Sequence, residues 1–183
     1  MLEAAGIFFE TVPANIDEDK IKRAMGADRA SPAEIATALA ERKARRISAE
    51  FPEALVIGSD QVLVIDNDIM SKPENRDAAF DQLCRLRGRD HSLISAACIL
   101  RDGVRIWQGV DTAHLRMRDF TDSFAGTYLD QVGDIALEGP GAYRIEGLGA
   151  QLFARIDGSH FTILGLPLLP LLEYLRDRGV LEH

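Results

Sequence analysis

Charged residues interrupt apolar stretches at a few positions of this 183-residue sequence, and these residues are the first candidates for chemistry. The clearest is Asp60, which lies in Gly58-Ser59-Asp60-Gln61 between two apolar runs rich in β-branched residues. A buried carboxylate costs free energy unless it is paired, hydrogen-bonded or bound to a metal. Asp60 is therefore either a turn residue that bonds its own backbone or a general base held in place by strands.

A lysine lies on the apolar stripe of a predicted helix. The helix begins at Ser31-Pro32-Ala33-Glu34, which combines a serine cap, a proline at the first helical position and a glutamate at the third. A four-residue spacing then places on one face Ile35, Leu39, Lys43 and Ile47. Lys43 either packs its stem and extends its ammonium group to water, or directs that group into a cleft to neutralise an anion.

Two more charged residues carry weaker signals. Pro73 restricts Lys72 to an extended backbone and so helps to aim its side chain, although Lys-Pro pairs are also common in ordinary loops. Glu18 stands at a predicted helix start, where acidic residues commonly interact with the helix dipole. The segment Gly139–Gly149 has four glycines but neither a Walker nor a Rossmann pattern, so it is predicted to be a loop.

Hydrophobic periodicity and turn signals outline the elements that must position these residues. Strands are predicted at Ile7–Val12, Leu55–Ile65 (one bent strand or two short ones), Leu93–Leu100, Val104–Met117 and Gln151–Ile156. Helices are predicted at Pro32–Ile47, from Asn75 to Leu86, at Thr121–Val132 and at Pro167–Arg178. Strands and helices intermix without strict alternation, which favours a single α/β domain with a mixed sheet flanked by helices.

Composition excludes several classes of function. The net charge of −8 argues against broad binding to a nucleic-acid backbone, which requires a positive field. The two cysteines, Cys84 and Cys98, have no zinc-site spacing and indicate free thiols. The longest apolar stretch, Phe161–Leu172, is too short to span a membrane and contains two prolines. The sequence therefore predicts a cytoplasmic protein without a membrane or nucleic-acid partner.

Both ends of the sequence carry expectations. Leu181-Glu182-His183 resembles the start of a histidine tag, so the domain is predicted to cover residues 1–180 and the tag remnant residues 181–183. The opening stretch from Met1 to Gly6 is typical of the last turn of a helix and its glycine cap. We therefore expect native sequence upstream of Met1.

Taken together, these residues resemble the Maf family of nucleotide pyrophosphatases from Met1 to about Gly179. The most specific stretches are Ile57–Val62, Lys72-Pro73, Leu86-Arg87-Gly88 with His91, Gly141–Gly149 and Leu164–Leu168. The resemblance implies an elongated mixed α/β fold with a deep cleft, similar to that of inosine-triphosphate pyrophosphatases, and often a homodimer.

The resemblance also implies a reaction and roles for particular residues. The reaction is hydrolysis of nucleoside triphosphates between the α- and β-phosphates, a house-cleaning step of nucleotide metabolism that uses a divalent metal, Mg²⁺ or Mn²⁺. Asp60 corresponds to the aspartate that activates water, and Lys43 and Lys72 correspond to phosphate-facing lysines. Glu18 corresponds to an acidic residue near the metal, so Glu18 and Asp60 would be the metal ligands.

Two positions bear on the nucleotide base. Members of the family that prefer thymidine or uridine triphosphate tend to carry threonine after the aspartate and glutamine before the later glycine. This sequence carries Gln61 and Glu146 there, which favours the branch that acts on 7-methyl-GTP. A carboxylate at Glu146 accepts hydrogen bonds from the N–H groups of a guanine edge.

A second hypothesis assigns no catalysis to the chain. Family members begin with a strand and a Ser-x-x-Arg-Arg segment that contacts phosphates, and this sequence lacks both. That difference favours a non-catalytic nucleotide-binding or regulatory protein linked to septum formation. The joint presence of Glu18, Lys43, Asp60 and Lys72 favours an enzyme.

Overall fold

The computed structural model describes residues 1–182, which form two compact units. The first unit comprises Met1–Gln61, Ile94–Asp111 and residues 159–182, and the second comprises Val62–Leu93 and Thr112–Gly158. His183, the last residue of the predicted tag remnant, lies outside the described residues. The prediction of one domain over residues 1–180 stays a prediction.

Helices and strands intermix along the chain. The strands are β1 (Val56–Ile65), β2 (Asp68–Met70), β3 (Asp90–Arg101), β4 (Val104–Met117) and β5 (Phe153–Asp157). The α-helices are α1 (Glu18–Ala27), α2 (Pro32–Ser48), α3 (Arg76–Leu86), α4 (Asp122–Val132), α5 (His160–Ile163) and α6 (Leu168–Asp177). Short 3₁₀ helices cover Glu3–Ala5, Gly133–Leu137 and Leu148–Leu152.

The five strands form one sheet in the order β2-β1-β3-β4-β5. β1 pairs antiparallel with β2, and β4 pairs antiparallel with β5. Asp66 and Asn67 connect β1 to β2 with positive φ angles of 53° and 68°, as the tight turn of a two-residue hairpin requires. An α/β fold with a sheet and helices was predicted from the sequence, and it is confirmed.

Capping explains where the longer helices begin. Ser31 and Glu34 form the predicted capping box of α2, in which each side chain accepts a hydrogen bond from the other residue's backbone N–H. The side chain of Asn75 accepts from the backbone of Ala78 and begins α3 in the same way. These polar caps satisfy amide groups that have no partner inside the helix.

One predicted strand was wrong, and another begins later than predicted. Ile7–Val12 is irregular rather than a strand, because among the described residues no strand of the sheet pairs with it and an isolated strand has no ladder to satisfy its backbone groups. The last strand begins at Phe153 instead of Gln151, since the residues before it form the 3₁₀ helix Leu148–Leu152. The sequence analysis gave no bounds for helices α1 and α5.

Each unit has buried apolar side chains of its own. In the first unit a cluster of buried residues comprises Ile7, Ala97, Ile99, Leu166, Leu168, Leu171 and Leu175. In the second unit α3 packs on α4, and fully or almost fully buried side chains include Leu83, Leu86, Leu115, Met117, Leu129 and Leu152. Within residues 1–182, none of the helices has the length and apolar character needed to cross a membrane.

A buried histidine marks the second unit. His91 is 4% exposed, and its Nε2 atom lies 2.8 Å from the hydroxyl oxygen of Tyr143. Its Nδ1 is buried and has no hydrogen-bond partner among the described residues. Burial disfavours the charged imidazolium and lowers the pKa of His91 from 6.5 to about 4, although the charge of Asp90 acts in the opposite direction.

The depressed pKa of His91 predicts a pH-dependent stability. Between pH 6.5 and 4 the unfolded chain binds a proton that the folded chain does not, so the free energy of unfolding falls as the pH is lowered through this range. The full loss amounts to about 3 kcal/mol. Urea denaturation of wild type and His91→Gln at several pH values measures it. If the free energies of unfolding of wild type and His91→Gln differ by the same amount at every pH from 7 to 4, this assignment is wrong.

Candidate active site

Three charged side chains meet in the first unit. The ammonium Nζ of Lys43, on α2, lies 2.5 Å from Oδ1 of Asp60 on β1 and 2.8 Å from Oε1 of Glu18 at the start of α1. Lys22, one turn further along α1, lies 3.7 Å from the other oxygen of Glu18. The structure thus brings together three of the residues that the sequence singled out, and we refer to Glu18, Lys43 and Asp60 as the charged triad.

A glycine allows this meeting. A Cβ atom at Gly58 would lie 2.2 Å from the carbonyl oxygen of Ala40 and 2.8 Å from Cβ of Ala44, both on α2. Ala40 and Ala44 are themselves buried. Small residues on both elements therefore let α2 approach β1 closely, which places Lys43, between the two alanines, next to Asp60. The apolar stripe predicted on this helix is confirmed at its buried positions.

Asp60 is a buried carboxylate with unequal oxygens. Only 8% of the residue is exposed. Oδ1 accepts the hydrogen bond from Lys43, whereas Oδ2 is buried without a hydrogen-bond partner among the described residues. Burial raises the pKa of Asp60, and the hydrogen bond and charge of Lys43 act against that rise. A buried acceptor with no partner is costly, so it marks a position where a ligand or water adds a bond.

Lys43 does not extend its ammonium group freely into water. Burial alone would lower the pKa of Lys43, but the hydrogen bonds and charges of Asp60 and Glu18 outweigh burial and raise it. Lys43 is therefore a cation at neutral pH, held between two carboxylates. Of the two interpretations of its place on the apolar stripe, the directed ammonium group matches this geometry.

The charged triad borders a pocket in the first unit. The pocket has a volume of about 990 Å³, and Glu18, Lys43 and Ser59 contribute to its lining. Phe8, Phe9 and Phe51 line other parts of it. Asp60 is not among the lining residues, because Lys43 covers the carboxylate. An anion that enters the pocket would therefore meet the Lys43 ammonium group before Asp60.

Side chains on either side of Asp60 bind the end of α5 and the turn that follows it. The Ser59 hydroxyl lies 2.7 Å from the carbonyl oxygen of Gly165, and Gln61 Nε2 lies 2.7 Å from that of Thr162. Sequence reasoning did not assign a role to Ser59, since a serine within a strand breaks no pattern. Gln61, a predicted base-contact residue, has its amide hydrogens directed at protein acceptors.

The second unit holds the remaining predicted site residues, Lys72 and Glu146. Both side chains are exposed. Gln82, on α3, donates to the carbonyl oxygen of Ser71 at 2.9 Å and accepts from the amide of Gly141 at 2.8 Å. Gln82 therefore links the loop that carries Lys72 to the glycine-rich loop that carries Glu146. Sequence reasoning missed this residue, because a glutamine on the side of a helix is ordinary.

The residues described offer few metal ligands at any one place. Within residues 1–182 no three His, Cys, Asp or Glu side chains cluster closely enough to hold a metal ion by themselves. Glu18 and Asp60 provide two carboxylates, and Oδ2 of Asp60 provides a buried oxygen without a protein partner. This set fits magnesium, which commonly uses one or two carboxylates and completes its shell with water and substrate phosphates.

Comparison with known proteins identifies relatives along almost the entire chain. The family model described as Maf-like protein matches residues 1–178. A nucleoside triphosphate pyrophosphatase of Paramagnetospirillum magneticum is 49% identical over 181 residues, which are 99% of this chain and 93% of the relative. A 7-methyl-GTP pyrophosphatase of Brucella abortus is 47% identical over 176 residues, 96% of this chain and 88% of the relative.

The close approach at Gly58 predicts the effect of a single methyl group. Gly58→Ala forces α2 away from β1, and we expect a loss of about 1–3 kcal/mol in the free energy of unfolding, typical of an overpacked core. Gly26→Ala is the control: no atom lies within 4 Å of a Cβ there, and alanine in place of this helical glycine should leave stability unchanged or raise it. Chemical denaturation compares the variants. If both retain wild-type stability, the close packing does not constrain the fold.

Proposed function

Because the chain belongs to the family of Maf-like proteins, we propose that it hydrolyses nucleoside triphosphates between the α- and β-phosphates and releases a nucleoside monophosphate and pyrophosphate. The chain is a hydrolase, because the relatives that it matches over most of their length are named pyrophosphatases. The charged triad in the first unit supplies the residue types that such a reaction uses.

One observation carries this proposal: a buried aspartate that has one oxygen paired with a lysine and the other without a protein partner. In-line attack of water on a phosphate needs cations on the phosphate oxygens and a group that orients or deprotonates the water. Lys43 provides the cation, and Oδ2 of Asp60 provides the acceptor. A purely structural ion pair would have no need of an unpartnered oxygen.

The residues act in a definite order in this proposal. A triphosphate enters the pocket and attracts the ammonium group of Lys43, which moves from the carboxylates toward the phosphates and uncovers Asp60. Asp60 then orients a water molecule and accepts its proton as the new P–O bond forms. The bridging P–O bond breaks, and pyrophosphate leaves with its electron pair. Lys72 is proposed as a second cation for the phosphates.

A divalent cation, Mg²⁺ or Mn²⁺, is proposed as the cofactor. Glu18 and Asp60 would hold it through their two carboxylates. When bound, the cation supplies positive charge that neutralises the phosphate oxygens. We also propose that the protein acts in the cytoplasm as a homodimer, the former in keeping with its two free cysteines, Cys84 and Cys98.

A modified guanosine triphosphate is the substrate that we propose. Relatives 47% and 44% identical to this chain are named 7-methyl-GTP pyrophosphatases, in Brucella abortus and Rhizobium etli. Glu146 is exposed on the turn before the last 3₁₀ helix and is available to a ligand. Its carboxylate would accept hydrogen bonds from a guanine edge, and a purine made cationic by methylation would gain from its charge.

Removal of the general base tests the reaction directly. Asp60→Asn keeps the shape of the side chain but cannot accept a proton from water, so turnover should fall by roughly 10²–10⁴-fold while nucleotide binding persists. Pyrophosphate release and nucleotide affinity are measured on the same preparation. A rate close to that of the wild type would remove Asp60 from the role of base.

Removal of the covering lysine tests the phosphate contact. Lys43→Met keeps the apolar stem and deletes the charge, and hydrolysis should fall by roughly 10²–10³-fold, as expected for a donor to a developing phosphate charge. Lys72→Ala should also lower the rate. Lys22→Met is the matched control, since Lys22 neighbours Glu18 but does not contact Asp60. Equal rates for Lys43→Met and Lys22→Met would show that Lys43 has only a structural role.

A panel of nucleotides at fixed magnesium tests the base. We expect 7-methyl-GTP to be cleaved faster than thymidine or uridine triphosphate, because a site built to accept hydrogen bonds rejects bases without matching donors. Glu146→Gln should reduce this preference. Faster cleavage of the pyrimidine nucleotides, or the same ranking in Glu146→Gln, would overturn the assignment of the base.

A further inference from the structure

The strand that carries Asp60 is fixed from its opposite face. Successive side chains of a strand point to opposite faces, so Ser59 and Gln61 lie on the face of β1 that Asp60 does not use. Asp60 itself is held from α2 by Lys43, which also pairs with Glu18 at the start of α1. What lies behind β1 therefore determines how firmly the carboxylate is placed.

Ser59 joins three segments of the first unit. Its hydroxyl Oγ lies 2.7 Å from the carbonyl oxygen of Gly165, in the turn after α5, and 3.0 Å from that of Ala96 on β3. A hydroxyl has one hydrogen, so the shorter contact to Gly165 is the principal bond. Ser59 thus ties its own strand to the turn from a position directly beside Asp60.

Gln61 binds the end of α5, directly before this turn. Its amide nitrogen lies 2.7 Å from the carbonyl oxygen of Thr162 and 3.1 Å from that of Ile163. The same nitrogen lies 3.0 Å from Oγ of Ser95, which donates in turn to the carbonyl oxygen of Thr162 at 2.7 Å. The Gln61 amide and the Ser95 hydroxyl therefore both bind the carbonyl oxygen of Thr162, at the end of α5.

These carbonyl groups lie at the C-terminal end of α5 and in the turn directly after it. The last carbonyl groups of a helix have no partner within it, and α5 has only four residues. Gly165 continues from the helix with a φ of +99°, a left-handed conformation that favours glycine. Gly165 and Leu166 also line the pocket beside Glu18 and Lys43. The turn is thus both the anchor of β1 and a wall of the pocket.

We propose that Ser59 is a positioning residue: its bond to the Gly165 turn fixes β1 and thereby holds the Asp60 carboxylate in its reactive place. The proposal rests on the proposed function, because Ser59 affects the reaction only if Asp60 takes part in it. Ser59 acts through its neighbour. A small misplacement of a reacting group costs as much as ~10²-fold in rate. Loss of the Ser59 hydroxyl should therefore lower kcat and leave KM almost unchanged.

The first experiment separates positioning from general loss of structure. Ser59→Ala and Ser59→Cys remove or weaken the donor, and each should lower kcat by roughly 10-fold or more with KM within about twofold. Ser59→Thr retains the hydroxyl and should restore most of the rate. Ser48→Ala is the matched control: Ser48 is a buried serine of the same unit, and it accepts one hydrogen bond from the amide of Gly103. It should lose stability but keep its kcat.

A double-mutant cycle tests whether Ser59 acts through Asp60. In an Asp60→Asn background, Ser59→Ala should cause little further loss of kcat, because the carboxylate that Ser59 positions is already gone. Losses that multiply would overturn the proposal, as would a wild-type kcat in Ser59→Ala or a failure of Ser59→Thr to restore the rate.

A readout without nucleotide keeps this proposal distinct from the proposed function. Hydrogen exchange of the backbone amides at residues 56–61 and 160–166 should accelerate in Ser59→Ala and remain as in wild type in Ser48→Ala. Unchanged exchange at these segments would overturn the positioning role even if the wild type hydrolyses triphosphates. Accelerated exchange in Ser59→Ala, together with a wild type that hydrolyses no triphosphate, would support the anchoring role and contradict only the proposed function.

Discussion

The ion pair between Asp60 and Lys43 is the interaction on which the arrangement of the first unit depends. A buried carboxylate needs a cation, and that cation must come from α2. α2 reaches β1 only because Gly58 faces Ala40 and Ala44 without a side chain of its own. Glu18 then completes the charged triad from the start of α1. A strand, two helices and a glycine are thus constrained by the same pair.

The sequence predicted the parts of this arrangement that break a pattern. Asp60 and Lys43 stand out because each is charged within an apolar periodicity, and the structure places them 2.5 Å apart. Ser59 and Gln82 break no pattern, so their contacts become visible only once the chain is folded. The strand predicted at Ile7–Val12 was wrong because strand formation depends on a partner distant in sequence, which local composition does not reveal.

The relatives and the structure inform different parts of the proposed mechanism. The relatives indicate the class of reaction, since proteins named pyrophosphatases match nearly the whole chain at 43–49% identity. The geometry supplies what their names do not contain: which carboxylate oxygen lacks a partner, which cation covers it and which turn holds its strand. The same geometry gives Gln61 a structural duty in addition to its predicted contact with the base, because its amide hydrogens already bind protein acceptors.

We propose that this chain breaks the α–β bond of a nucleoside triphosphate with Asp60 as the acceptor of the water proton. Phosphorus NMR of a reaction with 7-methyl-GTP and magnesium tests it most directly, because it resolves every phosphorus product. We predict monophosphate and pyrophosphate in equal amounts, formed at a rate that Asp60→Asn lowers by ~10²-fold or more. Orthophosphate with a nucleoside diphosphate, or equal rates for the wild type and Asp60→Asn, would contradict it.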